Sequence, residues 1–242
     1  MKELAIRGHG FVGNKLLSLS QGQYIPRDWT GLFGDVIYTA AYGNYYDQKD
    51  LYKTYRVNVL EVIKLLKSSE SFIYISTSSV LLPIQTPYSH SKKVMEEILK
   101  EVDIPACAIR PSSITGVGEQ ERHLIPTLIK SCLEGELIPF VTEPSHDFID
   151  INDFCDGVLY ISNNINKFKG KSLNLSSGKN YKNKEVLSMV EEITGSKANI
   201  KLVDSMRKYD TDEWIVKPDL EFSSKPLYLS IQEMVNEYRK NH

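Results

Sequence analysis

Cysteine is scarce in this chain: three residues, Cys107, Cys132 and Cys155, lie far apart among 242 positions. An odd, widely spaced set without metal-type pairing argues against a disulfide framework, and a reduced, cytoplasmic setting is the simplest expectation. No apolar run approaches the ~20 residues that a membrane-spanning helix needs, and no secretory leader precedes the first strand. A surplus of one charge is missing too, since 29 Lys and Arg stand against 31 Asp and Glu for a net charge of −2. That balance gives no electrostatic footing for nucleic acid or an anionic membrane as a partner. The five histidines form no ligand-spaced cluster with cysteine or carboxylate, so no metal site is expected. Internal repeats and low-complexity segments are absent. What remains, 41% hydrophobic and 25% charged residues, is the composition of an ordinary globular chain able to bury a core. The length suits one large α/β domain, or a nucleotide-binding core with a smaller lobe.

The order of elements is legible from the N-terminus. Glu3–Ile6 is a short apolar strand running into Gly8-His-Gly-Phe-Val-Gly13, and Leu16, Leu17 and Leu19 follow at helical spacing. Strand, glycine turn and helix is the context in which Gly8, Gly10 and Gly13, with Phe11 and Val12 between them, bind a dinucleotide. Glycines let the backbone turn sharply and approach a pyrophosphate, which sits at the positive end of the helix. The segment from Gln23 to Asp28 reads as the next strand, whose end meets the adenosine ribose in such a fold. Arg27 suits a 2′-phosphate and Asp28 a 2′-hydroxyl, so the pair leaves NAD or NADP open. The segment from Asp35 to Ala41 is a buried strand ending in Ala40 and Ala41, small enough for a ligand to approach the backbone. Only about twenty residues separate it from Gly13, so the first half of the nucleotide fold is abbreviated. Further strands and helices alternate to Pro111: a helix over 51–67, a strand at 72–76, a helix over 88–101 and a strand over 104–111. Alternation of this kind predicts a parallel sheet flanked by helices. Beyond Pro111 a helix over 123–134 is interrupted near its start by Pro126. A strand over 145–151 precedes an Asn152/Asp153-capped helix. A strand at 171–175, a helix over 183–194, a strand over 198–203 and a helix over 230–240 complete a smaller lobe. The expected division is residues 1–111 and residues 112–242, the second interleaved with the first.

Tyr88 and Lys92 carry the chemistry. Four residues is just over one helical turn, so both side chains project from one face and can serve one reaction centre. A free phenol, with a pKa near ~10, is a poor acid or base at neutral pH. A nearby ammonium favours the phenolate and creates an acid/base suited to carbonyl–alcohol chemistry. A second match, Tyr45 and Lys49, lies in a turn-rich patch and reads as chance among 14 tyrosines. Tyr88 differs because it opens a helix just after the hydroxyl cluster Ser76, Thr77, Ser78 and Ser79. His9 reads as a loop residue and His90 as pointing off the reactive face. Tyr42, Tyr45 and Tyr46 suit a ligand wall or plain packing equally, and Asn58 suits a cofactor support or an ordinary helix-face amide.

Taken together these pieces resemble the extended short-chain dehydrogenase/reductase family, in particular its sugar-nucleotide epimerase/dehydratase branch. Gly10-Phe-Val-Gly13 is similar to the family's glycine loop, and Asp35–Ala41 to its strand ending in paired alanines. Ile75-Ser-Thr-Ser-Ser-Val80 is similar to its serine/threonine strand, with Tyr88…Lys92 as its YxxxK helix. Arg110-Pro-Ser-Ser-Ile-Thr-Gly116 is similar to the segment linking its lobes, and His146–Asp153 to its aspartate-rich strand–helix junction. The resemblance spans nearly the whole chain. It implies a Rossmann-like domain over 1–111, a substrate lobe over 112–242, and NAD(P) as cofactor. Tyr88 is implied as acid/base. Lys92 lowers its pKa and bonds the nicotinamide ribose, and Thr77 polarises the substrate oxygen, with Ser78 as the alternative. The family often dimerises through helices matching 51–67 and 88–101, so a homodimer is implied as well.

Departures from the family pattern narrow the expectation. Arg7 stands where the first glycine is usual. Ser78 and Ser79 occupy the places of the Asp-Glu pair of 4,6-dehydratases, which removes the carboxyl groups for elimination. Ser113 stands where many sugar-nucleotide members have asparagine, and His146 where many have arginine for the diphosphate; Arg122 is a substitute clamp. The expected function is an NAD(P)-dependent oxidoreductase or epimerase acting on a hydroxyl or keto carbon of a nucleotide-linked sugar. Reduction of a keto-sugar is favoured, because the abbreviated nucleotide half has less surface to retain the cofactor through an epimerisation. The competing expectation is a non-catalytic dinucleotide sensor or scaffold, which has no need of Thr77, Tyr88 or Lys92.

Overall fold

The computed structural model describes residues 4–44, 48–204, 217–221 and 223–241. Tyr45 and Tyr46 of the aromatic patch lie outside the described residues. Two compact units emerge, one of residues 1–111 with 155–175, the other of residues 112–154 with 176–242. The stretch Cys155–Leu175 thus returns to the first unit.

The first unit is built on β1 (Leu4–Arg7), β2 (Gln23–Tyr24), β3 (Phe33–Tyr38), β4 (Ser69–Ile75), β5 (Ala106–Pro111) and β9 (Ser172–Leu175). They form one six-stranded sheet in the order β2-β1-β3-β4-β5-β9, every neighbouring pair parallel. The helices of this unit are α1 (Phe11–Ser20), α2 (Leu51–Tyr55), α3 (Glu61–Leu66) and α4 (Pro87–Lys100), joined by the later part of α6 (Ile151–Asn163). A parallel sheet is covered on both faces, and its strands read accordingly as continuous apolar runs. Val36, Tyr38, Phe72, Tyr74, Ala106 and Ala108 are buried together with Val62, Met95 and Leu99 from the helices. The chain leaves β1 to one side for β2 and crosses back to the other side for β3, so a topological switch lies at the carboxyl ends of β1 and β3. Among the described residues only β2 lies outboard of β1, in keeping with the short Gly13-to-Asp35 interval.

Several boundaries differ from the sequence expectation, each for a local reason. The expected strand from Gln23 to Asp28 is in register with β1 at Gln23 and Tyr24, the Ile25 N–H still reaches the Ile6 carbonyl at 2.9 Å, and Pro26, with no N–H to donate, follows. Arg27 and Asp28 lie in an exposed turn beyond it. The expected helix over 51–67 is divided by a π-helical turn, Arg56–Leu60, between α2 and α3. Helix α4 begins where its cap dictates: Thr86 accepts from the Ser89 N–H, Ser89 answers to the Thr86 N–H, and Pro87 occupies the first turn.

The second unit holds β6 (Ser113–Thr115), β7 (Ile138–Phe140), β8 (Ser145–Asp150), β10 (Asn180–Lys182) and β11 (Ile200–Leu202). They form a β10-β8-β6 sheet and a β11-β7 pair. Helices α5 (Leu124–Glu134), α7 (Asn183–Thr194) and α8 (Leu227–Asn241) pack around Ile125, Leu128, Val186, Val190, Ile231 and Val235. Pro126 does not interrupt α5. It falls in the first turn, where the missing N–H has no intrahelical partner to lose. Helix α6 starts at Ile151, and its cap is Asp150, whose Oδ1 accepts the Asn152 N–H at 2.9 Å, rather than Asn152 or Asp153.

Candidate active site

At the end of β1 the backbone of Gly8 takes φ +136°, a conformation that favours glycine. A Cβ on Gly8 would stand 2.2 Å from Thr39 Oγ1, and one on Gly13 would stand 2.1 Å from the Gly8 carbonyl oxygen. These two glycines therefore bring loop, strand β3 and helix α1 into contact. Gly10 differs: a Cβ there would meet nothing within 4 Å. Gly10 is also the N-cap of α1 and offers no side-chain cap, so the first N–H groups of the helix, those of Phe11, Val12 and Gly13, have no side-chain acceptor at the cap. An open cradle at the positive end of a ten-residue helix suits a pyrophosphate. Ala40, whose N–H donates to the Arg7 carbonyl at 3.0 Å, and exposed Ala41 follow β3 at the neighbouring strand end.

The side chain of Arg7 turns inward. It is 5% exposed, donates to the Ile25 carbonyl at 2.8 Å and pairs with Glu61 at 3.3 Å. His9 is exposed and sets its ring edge-on to Tyr24, with centroids 4.2 Å apart.

Tyr88 and Lys92, the acid/base pair expected from the sequence, sit on α4. Tyr88 is half-buried and Lys92 wholly buried on the same helical face, with Lys92 Nζ 5.8 Å from the centroid of the Tyr88 ring. Lys92 donates to the Ile75 carbonyl at 2.7 Å, and its Nζ lies 4.4 Å over the ring of Tyr74. Burial pushes the ammonium down to about 7, while the Glu96 carboxylate one turn along pulls it up. Glu96 is held in turn by Ser76 and by the guanidinium of Arg110, whose Nε reaches its two oxygens at 3.0 and 3.1 Å. Thr77 follows β4 and is half-buried, its Oγ1 2.9 Å from Ser79 Oγ, while Ser78 is buried.

Asn58 joins these parts. Its Oδ1 accepts the Tyr42 N–H at 3.0 Å, and its Nδ2 donates to the Tyr42 carbonyl at 2.8 Å and to Ser91 Oγ at 2.9 Å. Ser91 passes the chain on to the Tyr88 carbonyl at 2.7 Å. The loop after Ala41 is thereby tied to the helix that carries Tyr88. Asn58 can do this because the π-helical turn widens the backbone there. His90 points away from this cluster, exposed and 2.6 Å from the Tyr55 hydroxyl.

The sequence matches the NAD dependent epimerase/dehydratase family over residues 35–176. The chain belongs to that family. No curated protein matches the sequence. Among solved structures, UDP-glucuronic acid 4-epimerase from Bacillus cereus, in complex with UDP-glucuronic acid and NAD, is 19% identical with a TM-score of 0.82, covering 99% of this chain and 100% of that one. MoeE5 in complex with UDP-glucose and NAD is 17% identical with a TM-score of 0.82, and covers 99% of both chains. RMD from Pseudomonas aeruginosa complexed with NADPH is 18% identical with a TM-score of 0.78, over the whole of both chains. At such identities the likeness is one of fold.

As a member of this epimerase/dehydratase family the protein is an NAD(P)-dependent enzyme of the short-chain dehydrogenase/reductase type. Its first unit fits that cofactor. The open face at Gly10, the uncapped N–H groups at the start of α1, the small strand end at Ala40 and Ala41, and the buried Lys92 would hold its pyrophosphate and ribose portions.

In the second unit Ser113 pairs with Phe148 in register, and His146 lies two residues earlier on β8, its ring 5.9 Å from that of Phe148. Ser113 and His146 therefore share one face of the β10-β8-β6 sheet. Arg122 lies in the turn before α5, exposed, with Nε on Gln120 at 3.4 Å. The aspartates of the 146–153 segment are structural. Asp147 accepts the backbone N–H of Ser177 and Lys179 at 2.9 and 3.0 Å, and Asp150 accepts the Ser230 hydroxyl at 2.7 Å. Tyr74, Ser91, Glu96 and Arg110 were not singled out from sequence. Tyr74 and Glu96 carry a signal in hindsight, a phenol in an apolar strand and a carboxylate on the buried face of a helix.

Proposed function

We propose that the protein reduces or interconverts a hydroxyl/keto carbon of a nucleotide-linked sugar, with Tyr88 as proton donor and acceptor. The observation that carries this reading is the Lys92 amine, fully buried and under the same helical face as the half-buried Tyr88 ring. An ammonium in that place favours the Tyr88 phenolate and brings the phenol into the range where it can exchange a proton with a substrate oxygen. A bound nicotinamide dinucleotide supplies or accepts the hydride. Thr77 polarises the reacting oxygen by hydrogen bonding. Its half-exposed position supports it over the buried Ser78. The segment after β4 carries serines at 78 and 79 and no carboxyl group, which speaks against a 4,6-elimination.

Ser113 and His146, on one sheet face, are proposed to meet the substrate's polar groups, with Arg122 as the guanidinium available to its phosphates. Recognition of a nucleotide sugar also finds support in the similar folds that hold UDP-glucose and UDP-glucuronic acid. Reduction is preferred over epimerisation because, among the described residues, a single short strand, β2, lies outboard of β1, which leaves less surface for retaining the cofactor between half-reactions. The test is to mix the purified protein with NADH or NADPH and a panel of nucleotide-linked keto-sugars and follow the loss of nicotinamide absorbance. Turnover that vanishes in Tyr88→Phe supports the reading. Dinucleotide binding with no turnover of any keto- or hydroxy-sugar, and no effect of Tyr88→Phe, favours the sensor instead.

A further inference from the structure

We propose that Tyr74 is a positioning residue for the acid/base pair: its ring face seats the Lys92 ammonium, and its hydroxyl locks the π-helical turn that carries Asn58. Tyr74 is fully buried in the middle of the sheet, on β4, in register with Tyr38 on β3. A phenol at the centre of a core is costly unless its hydroxyl finds a partner. Here it donates to the Asn58 carbonyl at 2.8 Å, and its neighbour Tyr38 donates to the Val57 carbonyl at 2.6 Å. Both acceptors belong to the π-helical turn, in which backbone carbonyls are released from the regular helical ladder. Two strand tyrosines therefore fix the turn, and with it the Asn58 amide that ties Tyr42 to Ser91.

The ring does the second task. Lys92 Nζ donates to the Ile75 carbonyl and stands 4.4 Å from the Tyr74 centroid, inside the ~6 Å reach of a cation–π contact. Among the described residues, the titratable and charged groups around it are Tyr88 and Glu96 from its own helix, Tyr74 from β4, and Arg110 from β5, which is engaged by Glu96. Of these, Glu96 and the Tyr74 ring favour the charged amine. Leucine would satisfy the strand's need for an apolar side chain but would leave the ammonium facing hydrocarbon, where charge is costly.

The catalytic consequence rests on the reading of Tyr88 and Lys92 as the reacting pair; the seating itself does not. The test therefore begins without substrate. Lysine Nζ is labelled with nitrogen-15, and the Lys92 titration midpoint is read by NMR in the wild type, Tyr74→Phe and Tyr74→Leu. Near-ultraviolet circular dichroism confirms the fold. Tyr74→Phe keeps the ring and is expected to move the midpoint little. Tyr74→Leu is expected to lower it so that the amine loses its proton about tenfold more readily. If Tyr74→Leu fails to fold, pentafluorophenylalanine at position 74 keeps the shape and reverses the ring's electrostatics, with the same fall expected. In turnover assays the limb of the pH profile that follows Lys92 should move with the midpoint, whereas a merely structural residue would change the rate uniformly. An unchanged midpoint in a folded variant lacking the electron-rich ring overturns the proposal, whatever the enzyme's substrate proves to be.

Discussion

Arg110, at the end of β5, lays its guanidinium along the carboxylate of Glu96 in α4, where the Glu96 side chain is 1% exposed and that of Arg110 is 19% exposed. The pair stands one helical turn from Lys92 and neutralises the charge that would otherwise dominate the floor of the site. Removing one partner strands the other. Arg110→Met should cost about 3–5 kcal/mol of stability, because the Glu96 carboxylate is left buried without its counter-ion. Urea unfolding measures this, and a loss below about 1 kcal/mol would show that the pair is dispensable.

Lys92 sets a cost in the opposite direction. The unfolded chain holds this proton up to the ordinary 10.5, the folded chain only to about 7. Between those values unfolding takes up a proton, so native stability rises with pH across the window, and as pH falls it is lost progressively from about 10.5 until the loss is complete near 7. Below that point the burial penalty is carried in full, on the order of 5 kcal/mol. Lys92→Met should therefore stabilise the protein by several kcal/mol at pH 6 and by little near pH 10, while abolishing turnover. An equal gain at both pH values would mean that the folded and unfolded chains hold the Lys92 proton equally, so that burial does not depress it.

The glycine loop separates folding from binding. Gly13→Ala puts a Cβ against the Gly8 carbonyl oxygen and should destabilise the first unit by about 1–3 kcal/mol or more. Gly10→Ala meets open space, so its melting temperature should stay within a few degrees of wild type. Its dissociation constant for dinucleotide should nonetheless rise at least about tenfold, because the methyl group occupies the face offered to the pyrophosphate. Calorimetric titration decides it, and wild-type affinity in Gly10→Ala would place the cofactor elsewhere.

Much of this architecture could be read from the residues. Helical spacing and the preceding hydroxyl-ended strand located α4 and its Tyr88/Lys92 pair, and Gly8, Gly10 and Gly13 located the turn. The failures are local and share a cause. The π-helical turn at Arg56–Leu60 keeps the apolar spacing of a helix, and only the tyrosine hydroxyls on β3 and β4 reveal it. Strand β2 is cut short by a proline whose effect depends on which edge needs its N–H. Arg110 looked like the start of a linking segment, yet its partner Glu96 is fourteen residues away and visible only once β5 lies beside α4. Long-range polar pairs have no period, so periodicity cannot find them.

Asn58 offers a test of how far the loop and the helix act together. Asn58→Leu removes three hydrogen bonds at once and leaves Tyr42 and Ser91 without that partner. A loss of about 2–3 kcal/mol is expected, with faster hydrogen exchange confined to the 40–44 loop and the first turn of α4. Uniform exchange across the unit would mean that Asn58 is an ordinary buried amide.

The most direct measurement is single-turnover reduction by Tyr88→Phe, with cofactor affinity determined in parallel. Phenylalanine keeps the ring over Lys92 and removes only the hydroxyl. The rate should fall by about 10²–10⁴-fold while the dissociation constant for the dinucleotide stays within about twofold of wild type. A rate close to wild type, with the dinucleotide still bound, would contradict the assignment of the Tyr88 hydroxyl as the group that moves the proton.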